Sequence, residues 1–230
     1  MAELLLELFS EEIPARMQAR ASEDLTKLVT DGLKAADLGF EAVEAYVTPR
    51  RLTLIVNGLP DKQPDLREER RGPRADAPEK AINGFLTGNG VTLEQCEKRE
   101  TPKGVFLFAI VEQKGRAASQ VIKDIVEDAM NKLPWPKSMR WADQKIRWVR
   151  QLDRILCLFD GNVIPVTYGP VTANNTTSGH RFLAPAEFSV ANAAEYKEKL
   201  RAAKVMIDRE ERKQVILDGA KKLAASEGFD

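Results

Sequence analysis

Short turns that contain proline or glycine separate three pairs of strand-like runs, and this pattern constrains the fold most strongly. Turns of three or four residues join antiparallel neighbours, whereas parallel strands need long crossover connections. The runs therefore predict β-hairpins. The predicted pairs are residues 42–47 with 52–56, 96–101 with 105–111, and 154–159 with 163–168.

Helical patterns alternate with these hairpins. Pro14 suits the first turn of a helix, and apolar residues recur at helical spacing as far as Leu33, before Gly39. The other predicted helices span 76–86, 117–133, 192–202 and 208–225. A strand is predicted at 4–9, exposed loops at 60–73 and 173–178, and a short strand-like stretch at 204–207.

This alternation lacks regular βαβ units, so the predicted class is α+β, with a mixed or antiparallel sheet and packed helices. We expect an α+β domain over residues 1–188. Residues 189–230 are expected to form a helical segment that leads into the remainder of a longer subunit.

Composition excludes several classes of function. The 230 residues include 35 basic and 35 acidic ones, which argues against a generally basic nucleic-acid binder. Two cysteines and one histidine cannot supply the usual ligands of a zinc site, so no metal is expected. No apolar run is long enough to span a bilayer, and the N-terminus lacks the basic flank of a secretory signal. We therefore expect a cytoplasmic protein without a membrane partner.

The charge is nevertheless polarised. The segment 135–154 carries a net charge of +4, from Lys137, Arg140, Lys145, Arg147, Arg150 and Arg154 against Asp143 and Asp153. It also contains all three tryptophans, Trp135, Trp141 and Trp148. If these cations form one exposed surface, the segment binds RNA, with indole rings available for stacking. Alternatively, the tryptophans are core anchors and the arginines pair with acids elsewhere. Lys137 and Arg140, next to Pro136, are the best contact candidates.

A second candidate is the turn at Pro49. Because proline fixes its own φ, Arg50 and Arg51 are expected at a rigid turn from which they contact phosphate. Plain solvent exposure is the alternative. The arginines of the 60–73 region and Arg74 rank lower, because Glu68 and Glu69 neutralise them.

The third candidate is His180. We predict no catalytic residue in this chain, and His180 is only a weak candidate for one. Gly179 lets the backbone turn or approach a partner closely. His180 and Arg181 are predicted to bind a phosphate or a terminal ribose. Hydrolysis would need an orienting carboxylate such as Asp160 or Glu187. A structural histidine that bonds to loop backbone is the alternative.

Seven stretches in a fixed order carry a family resemblance. They are LLLELFSEEIPAR from Leu4, YVTPRRL from Tyr46, RGPR from Arg71, KAINGFLTGNGV from Lys80, WPKSMRWAD from Trp135, VIPV from Val163 and NNTTSGHRFLAP from Asn174. The set resembles the beta subunit family of bacterial glycyl-tRNA synthetases as far as about Pro185. Gln151 stands where that family usually has proline, so a local difference in the backbone is expected there.

The resemblance implies a fold similar to the editing-type domain of the phenylalanyl-tRNA synthetase beta chain. It also implies an N-terminal module that supports tRNA(Gly) binding and heterotetramer assembly with the alpha subunit and a second beta subunit. ATP and Mg²⁺ then belong to the alpha subunit, which aminoacylates tRNA, and this region holds no cofactor. The alternatives are an editing-type aminoacyl-tRNA deacylase and a pure protein-interaction scaffold.

Overall fold

The chain forms two compact units. The computed structural model describes residues 2–140 and 146–229. The large unit comprises Met1–Lys62 and Ala117–Asp230, and the small unit comprises Gln63–Arg116. The predicted boundary at residue 188 stays a prediction, and no sequence pattern indicated a separate internal segment.

The small unit leaves and rejoins the chain at neighbouring points. The Gln63 N–H donates to the Arg116 carbonyl (2.9 Å), and Lys62 and Ala117 form an isolated antiparallel bridge. The Ala118 N–H at the start of the next helix donates to the Asp61 carbonyl (2.8 Å). Two closely spaced backbone connections therefore join the internal segment to the rest of the chain.

Helices and antiparallel strands alternate along the chain, which confirms the α+β class. The helices are α1 (Ala15–Ala35), α2 (Glu79–Asn89), α3 (Ala118–Lys132), α4 (Ala193–Ala202) and α5 (Arg209–Ser226). The strands are β1 (Ala2–Ser10), β2 (Ala42–Thr48), β3 (Arg51–Leu59), β4 (Leu66–Arg74), β5 (Cys96–Thr101), β6 (Gly104–Gln113), β7 (Met139–Arg140), β8 (Arg147–Trp148), β9 (Leu152–Phe159), β10 (Asn162–Val163), β11 (Thr167–Tyr168), β12 (Val171–Thr172), β13 (Thr176–Ser178) and β14 (Glu187–Ser189).

β1 is the central strand of a five-stranded antiparallel sheet in the large unit, with the order β10-β9-β1-β3-β2. Its side chains alternate between two buried faces. Leu4, Leu6 and Leu8 enter the core shared with α1 and α3, whereas Leu5 packs in the core beneath α4. Glu7 lies on the same face as Leu5 and is a fully buried carboxylate.

The helices of the large unit begin within a few residues of the predicted positions. α1 buries every fourth residue on one face, namely Met17, Ala21, Leu25, Val29 and Leu33. The side chain of Asn192 caps α4 by accepting the Glu195 N–H (2.8 Å), and Asp208 caps α5 in the same way. α5 buries none of its side chains in the described chain. No helix among residues 2–140 and 146–229 has both the length and the apolar character that crossing a bilayer requires.

The small unit is a three-stranded sheet, β4-β6-β5, with α2. Among its described residues, only Leu107 and Ala109 are buried apolar side chains. The prediction of an exposed loop over 60–73 is wrong for β4, which pairs with the apolar strand β6. β4 is an edge strand, and its side chains are exposed or half-buried, so no apolar period marks it in the sequence.

Three shorter predictions also need correction. The predicted loop 173–178 contains β13, which pairs with β14 and buries Thr177. The predicted strand at 204–207 does not form, because Lys204 has a left-handed φ of 64° where α4 ends. The third hairpin is shorter than predicted, because β10 covers only two residues and Tyr168 pairs in the separate β11–β12 ribbon.

Candidate nucleic-acid interface

A short two-stranded ribbon presents arginines to solvent. β7 and β8 pair so that Met139 lies opposite Trp148 and Arg140 lies opposite Arg147. Trp148 is only 1% exposed and anchors the ribbon in the core of the large unit. Because successive side chains of a strand point to opposite faces, Arg147 emerges away from that core, beside Arg140. We call β7 and β8, together with the exposed Lys137 that precedes β7, the cationic ribbon.

Three aromatic rings hold the cationic ribbon in place. Trp148 meets Trp135 and Tyr168 edge-on, at centroid distances of 5.1 and 5.5 Å. The Tyr168 hydroxyl donates to the Arg147 carbonyl (2.9 Å). Both tryptophans pack with the core, so the prediction that the tryptophans stack on RNA bases is wrong for the buried Trp148.

The charges on the cationic ribbon have no acidic partner among residues 2–140 and 146–229. Like charges directly opposite each other on paired strands repel, and Arg140 and Arg147 are such a pair. In the part of the chain that the structure describes, neither they nor Lys137 form an ion pair. The Arg147 Nε–H donates to Ser138 Oγ instead (3.2 Å). An anion that contacts both guanidinium groups removes this repulsion, and phosphate oxygens have the matching acceptor geometry.

The rest of the predicted basic segment is not one exposed surface. Arg154 forms an ion pair with Glu187, and Arg150 is half-buried and donates to the Val149 carbonyl (2.9 Å). The residues Trp141, Asp143 and Lys145 lie outside the described chain. Within the described part of this segment, the exposed cations without an ion pair are therefore those of the cationic ribbon.

The turn at Pro49 folds inward, which corrects the expectation that both of its arginines face solvent. The Arg51 guanidinium is only 4% exposed, donates from Nε to Glu7 (3.0 Å) and also bonds to the Ser178 carbonyl. Arg50 is largely covered and pairs with Glu11 (3.3 Å) and Asp153 (3.1 Å). Arg51 is therefore a buried residue whose guanidinium already has a carboxylate and a carbonyl as partners.

Glu7 is the centre of a buried polar network. Besides Arg51, it accepts hydrogen bonds from the hydroxyls of Tyr196 and Thr177, each at 2.5 Å. Tyr196 also shares a hydrogen bond with Thr53 (2.8 Å). Burial, with the nearby Glu7 charge, raises the pKa of Tyr196 well above its ordinary value. We call these five residues the Glu7 network. Because its groups are paired, it fixes β13 against the central sheet.

The Glu7 network supports one wall of a cleft of about 380 Å³, which we call the His180 cleft. Gly179 has no room for a side chain there, because an added Cβ would lie 2.3 Å from the Ala184 carbonyl oxygen. The His180 N–H donates to the Ala203 carbonyl (2.9 Å). His180 Nδ1 accepts the backbone N–H groups of Phe182 and Leu183, both at 3.2 Å. The neutral imidazole therefore carries its proton on Nε2.

The carboxylates proposed to orient His180 do not do so. Glu187 pairs with Arg154, and Asp160 lies in the β9–β10 turn with φ of 49°. Among the described residues, no carboxylate bonds to the imidazole. The alternative of a structural histidine that bonds to loop backbone therefore holds for the Nδ1 atom of His180. The Nε2–H group remains available as a donor.

The comparison with known proteins decides the family. Residues 4–230 match the family described as glycyl-tRNA synthetase beta subunit. The chain belongs to the glycyl-tRNA synthetase beta subunit family.

Curated relatives in this family are similar over the whole chain. It is 51% identical to the glycine–tRNA ligase beta subunit of Dinoroseobacter shibae over 234 residues, which cover 32% of that protein. Identity is 52% to that of Cereibacter sphaeroides, with 34% covered, and 49% to that of Rhodospirillum centenum, with 36% covered. The chain thus spans about a third of the length of these relatives.

Three of the stretches that carry the family resemblance meet at the Glu7 network. The first strand contributes Glu7, the YVTPRRL stretch contributes Arg51, and the NNTTSGHRFLAP stretch contributes Thr177. These residues are far apart in sequence, so their contact explains physically why the stretches occur together. At the departure from the family pattern, the Gln151 carbonyl accepts the Glu11 N–H (2.8 Å). A proline at that position would also present a carbonyl, and the expected local difference in the backbone stays a prediction.

Two cationic residues of the His180 cleft escaped the sequence analysis. Lys204 and Arg212 line it together with Arg181, although they follow α4 and begin α5. Burial lowers the pKa of Arg212. A basic residue at a helix end is common, and only the fold brings these residues to His180.

Proposed function

We propose that this chain is a tRNA(Gly)-contacting and assembly module of a cytoplasmic glycine–tRNA ligase, with aminoacylation carried out by an alpha subunit. The observation that carries the RNA part is the exposed pair Arg140 and Arg147, which lie opposite each other on neighbouring strands and form no ion pair with a carboxylate of the described residues. In this proposal ATP and Mg²⁺ bind to the alpha subunit.

Phosphate binding explains the cationic ribbon better than a purely structural role. A structural arginine gains stability from an acidic partner, as Arg51 does from Glu7. The ribbon arginines repel each other, and Lys137 adds a third charge. An RNA backbone supplies the missing anions, and arginine binds phosphate through two parallel hydrogen bonds.

The test is a salt titration of tRNA(Gly) binding, by fluorescence anisotropy, with the intact protein that contains this chain. We expect the Arg140→Ala/Arg147→Ala variant to bind about tenfold or more weakly at low salt. The plot of log affinity against log salt should become shallower by about one to two, because fewer counterions are released.

The matched control is Arg20→Ala/Arg201→Ala, which removes the same charge from two exposed arginines that have acidic partners, Asp24 and Glu211. This variant should bind like the parent protein. Equal slopes for the ribbon variant and the control would refute the RNA role of the ribbon.

The assembly part of the proposal concerns α5. Val215, Ile216 and Leu223 are exposed on this helix, which buries no side chain in the described chain. An apolar helix surface of this kind suits contact with the alpha subunit or the second beta subunit. We expect Ile216→Glu/Leu223→Glu to reduce the fraction of assembled tetramer in analytical ultracentrifugation, with Lys213→Glu/Lys221→Glu as the control.

An editing-type deacylase, with a fold like the phenylalanyl enzyme's editing-type domain, is the second candidate. The His180 cleft favours it through the free Nε2–H, but the imidazole has no orienting carboxylate in the described chain. Glycine is also the smallest amino acid, so exclusion by size already rejects larger ones. Hydrolysis of alanyl-tRNA(Gly) that depends on His180 would favour the deacylase. A chain inert toward RNA would favour the scaffold.

A further inference from the structure

The His180 cleft holds a second group of cations that is distinct from the cationic ribbon. Its lining includes Arg181, Lys204 and Arg212, with Glu12 as the single carboxylate among the lining residues. At about 380 Å³ it falls near the lower end of the range for small-molecule sites, which leaves room for roughly one nucleotide.

The cationic side chains of the cleft outnumber the carboxylates that pair with them. Arg181 shares Glu11 with Arg50, at 3.3 Å each. Arg212 donates only to carbonyls, including those of Val47 (3.0 Å) and Ile207 (3.1 Å). In the described chain, neither Arg212 nor Lys204 forms an ion pair with a carboxylate. A partly buried guanidinium satisfied by neutral groups keeps its charge available to an anion.

Lys204 occupies a position that favours glycine. It ends α4 in a Schellman motif, in which the Val205 N–H donates to the Leu200 carbonyl (2.8 Å) and the Lys204 N–H donates to the Arg201 carbonyl (3.1 Å). Its φ of 64° is strained for a residue with a side chain. A lysine in a glycine position at the edge of a cationic cleft indicates a role for its ammonium group.

The rim of the cleft offers an aromatic surface. Phe182 is 80% exposed, and its ring lies 5.9 Å from the Arg181 guanidinium. Exposed aromatic rings beside cations are the usual platform for unpaired nucleobases. The Nε2–H of His180 adds a donor that can bind a ribose hydroxyl or a phosphate oxygen.

We infer that the His180 cleft binds the 3′-terminal, unpaired nucleotide of an RNA strand, with its phosphate at Lys204, Arg181 and Arg212 and its base on Phe182. This inference rests on the proposed function for the identity of the RNA, tRNA(Gly). It adds that the strand end enters a pocket, whereas the cationic ribbon contacts backbone phosphates elsewhere.

The test uses the intact protein and tRNA(Gly) whose terminal ribose has been oxidised with periodate to a dialdehyde. The Lys204 amine condenses with one aldehyde and releases water, and cyanoborohydride reduces the resulting imine to a stable secondary amine. Lys204 is the only lysine among the residues that line the cleft. We expect mass spectrometry to locate the adduct at Lys204, and Lys204→Arg to lose it while tRNA affinity is retained. Lys199→Arg, on α4 outside the cleft, should keep the adduct.

Two further variants separate binding from folding. Lys204→Gly relieves the backbone strain, so we expect the midpoint temperature of thermal unfolding to rise by about 2–4 °C. We expect tRNA binding to weaken in the same variant. Phe182→Ala changes an exposed side chain, and we expect about tenfold weaker binding of the RNA with no change in unfolding.

The outcomes distinguish this inference from the proposed function. If ribbon-dependent tRNA binding persists but the adduct forms only at other lysines, or not at all, the cleft assignment is overturned and the proposed function stands. If tRNA does not bind in the salt titration, both are overturned. If Lys204→Gly raises unfolding temperature without weakening binding, the lysine has no role in RNA recognition.

Discussion

The large and the small unit use similar ion pairs in different surroundings. In the large unit, the Arg51–Glu7 pair is buried between the central sheet and β13. In the small unit, Arg99 pairs with Glu97 (2.5 Å) and Glu69 (2.8 Å) on an exposed sheet. The large unit also has an extensive apolar core, whereas Leu107 and Ala109 are the buried apolar residues in the described small unit.

This difference teaches that an ion pair takes its importance from its surroundings. A buried pair is costly to desolvate, and breaking it leaves one charge without water or partner. An exposed pair is screened, and its members return to water when separated. The small unit therefore depends on backbone pairing between strands, and the large unit depends on packing and on the completeness of the Glu7 network.

The largest expected effect comes from breaking the buried pair. Glu7→Gln leaves the Arg51 charge uncompensated, so we expect a loss of about 3–5 kcal/mol in the free energy of unfolding. Urea titration followed by tryptophan fluorescence measures this, because all three tryptophans belong to the large unit. The matched variant Glu69→Gln should leave hydrogen exchange in the small unit unchanged. If the two substitutions lower stability equally, burial does not account for the difference expected between the two ion pairs.

A smaller effect is expected from two glycines with different surroundings. Gly179→Ala forces a Cβ against the Ala184 carbonyl oxygen, so we expect a loss of about 1–3 kcal/mol and a displaced His180 loop. Gly84→Ala, in α2, meets no atom within 4 Å and should stabilise the small unit by about 0.5–1 kcal/mol. Hydrogen exchange read separately in each unit gives both values. If Gly179→Ala leaves the free energy of unfolding unchanged, the His180 loop relaxes to make room for the added methyl group.

Because the two cysteines differ in burial, we expect them to differ in their effect on the free energy of unfolding at alkaline pH. Burial raises the pKa of Cys157 to about 12. Its folded pKa lies above the unfolded one, so its contribution to stability is complete below about pH 9 and is lost as pH rises toward 12. The slope is about 1.4 kcal/mol per pH unit over that window. Cys157→Ala should flatten the slope in urea titrations at several pH values, whereas Cys96→Ala, at a half-buried site, should change it little.

The smallest expected effect concerns Arg71, whose guanidinium lies 3.9 Å from the centre of the Phe106 ring. Arg71→Lys keeps the charge but loses the planar stacking, so the small unit should lose about 0.5–1 kcal/mol. Hydrogen exchange of β6 reports the change. Lys98→Arg, the reverse exchange on the same sheet, is the control and should have no effect; comparable shifts would show that the stacking does not matter.

Local patterns predicted the elements that have clear local causes. The helices predicted over 192–202 and 208–225, the helical spacing of apolar residues in α1 and the turn-containing hairpins depend on neighbours in sequence. β4 was missed because its side chains are largely exposed, so no periodicity records its pairing. Thr177 was missed because its burial depends on Glu7, 170 residues away.

The candidate site was harder to predict for the same reason. A rigid turn at Pro49 was foreseen, but the inward direction of Arg51 depends on a carboxylate 44 positions earlier. His180 and Arg181 were identified, whereas Lys204 and Arg212 reach the same cleft only through the packing of α4 and α5. The RNA-contact roles stay predictions for all eight candidates, which are Lys137, Arg140, Arg50, Arg51, Arg147, Arg150, His180 and Arg181.

The paired entry and exit of the small unit give the chain a modular character. Because Lys62 and Ala117 pair and Gln63 bonds to Arg116, the ends of this insert are already held together. A short linker between Lys62 and Ala117 can thus replace the insert without stretching the flanking elements β3 and α3. The same junction can accept a foreign domain, such as a fluorescent reporter, because its two ends are already adjacent.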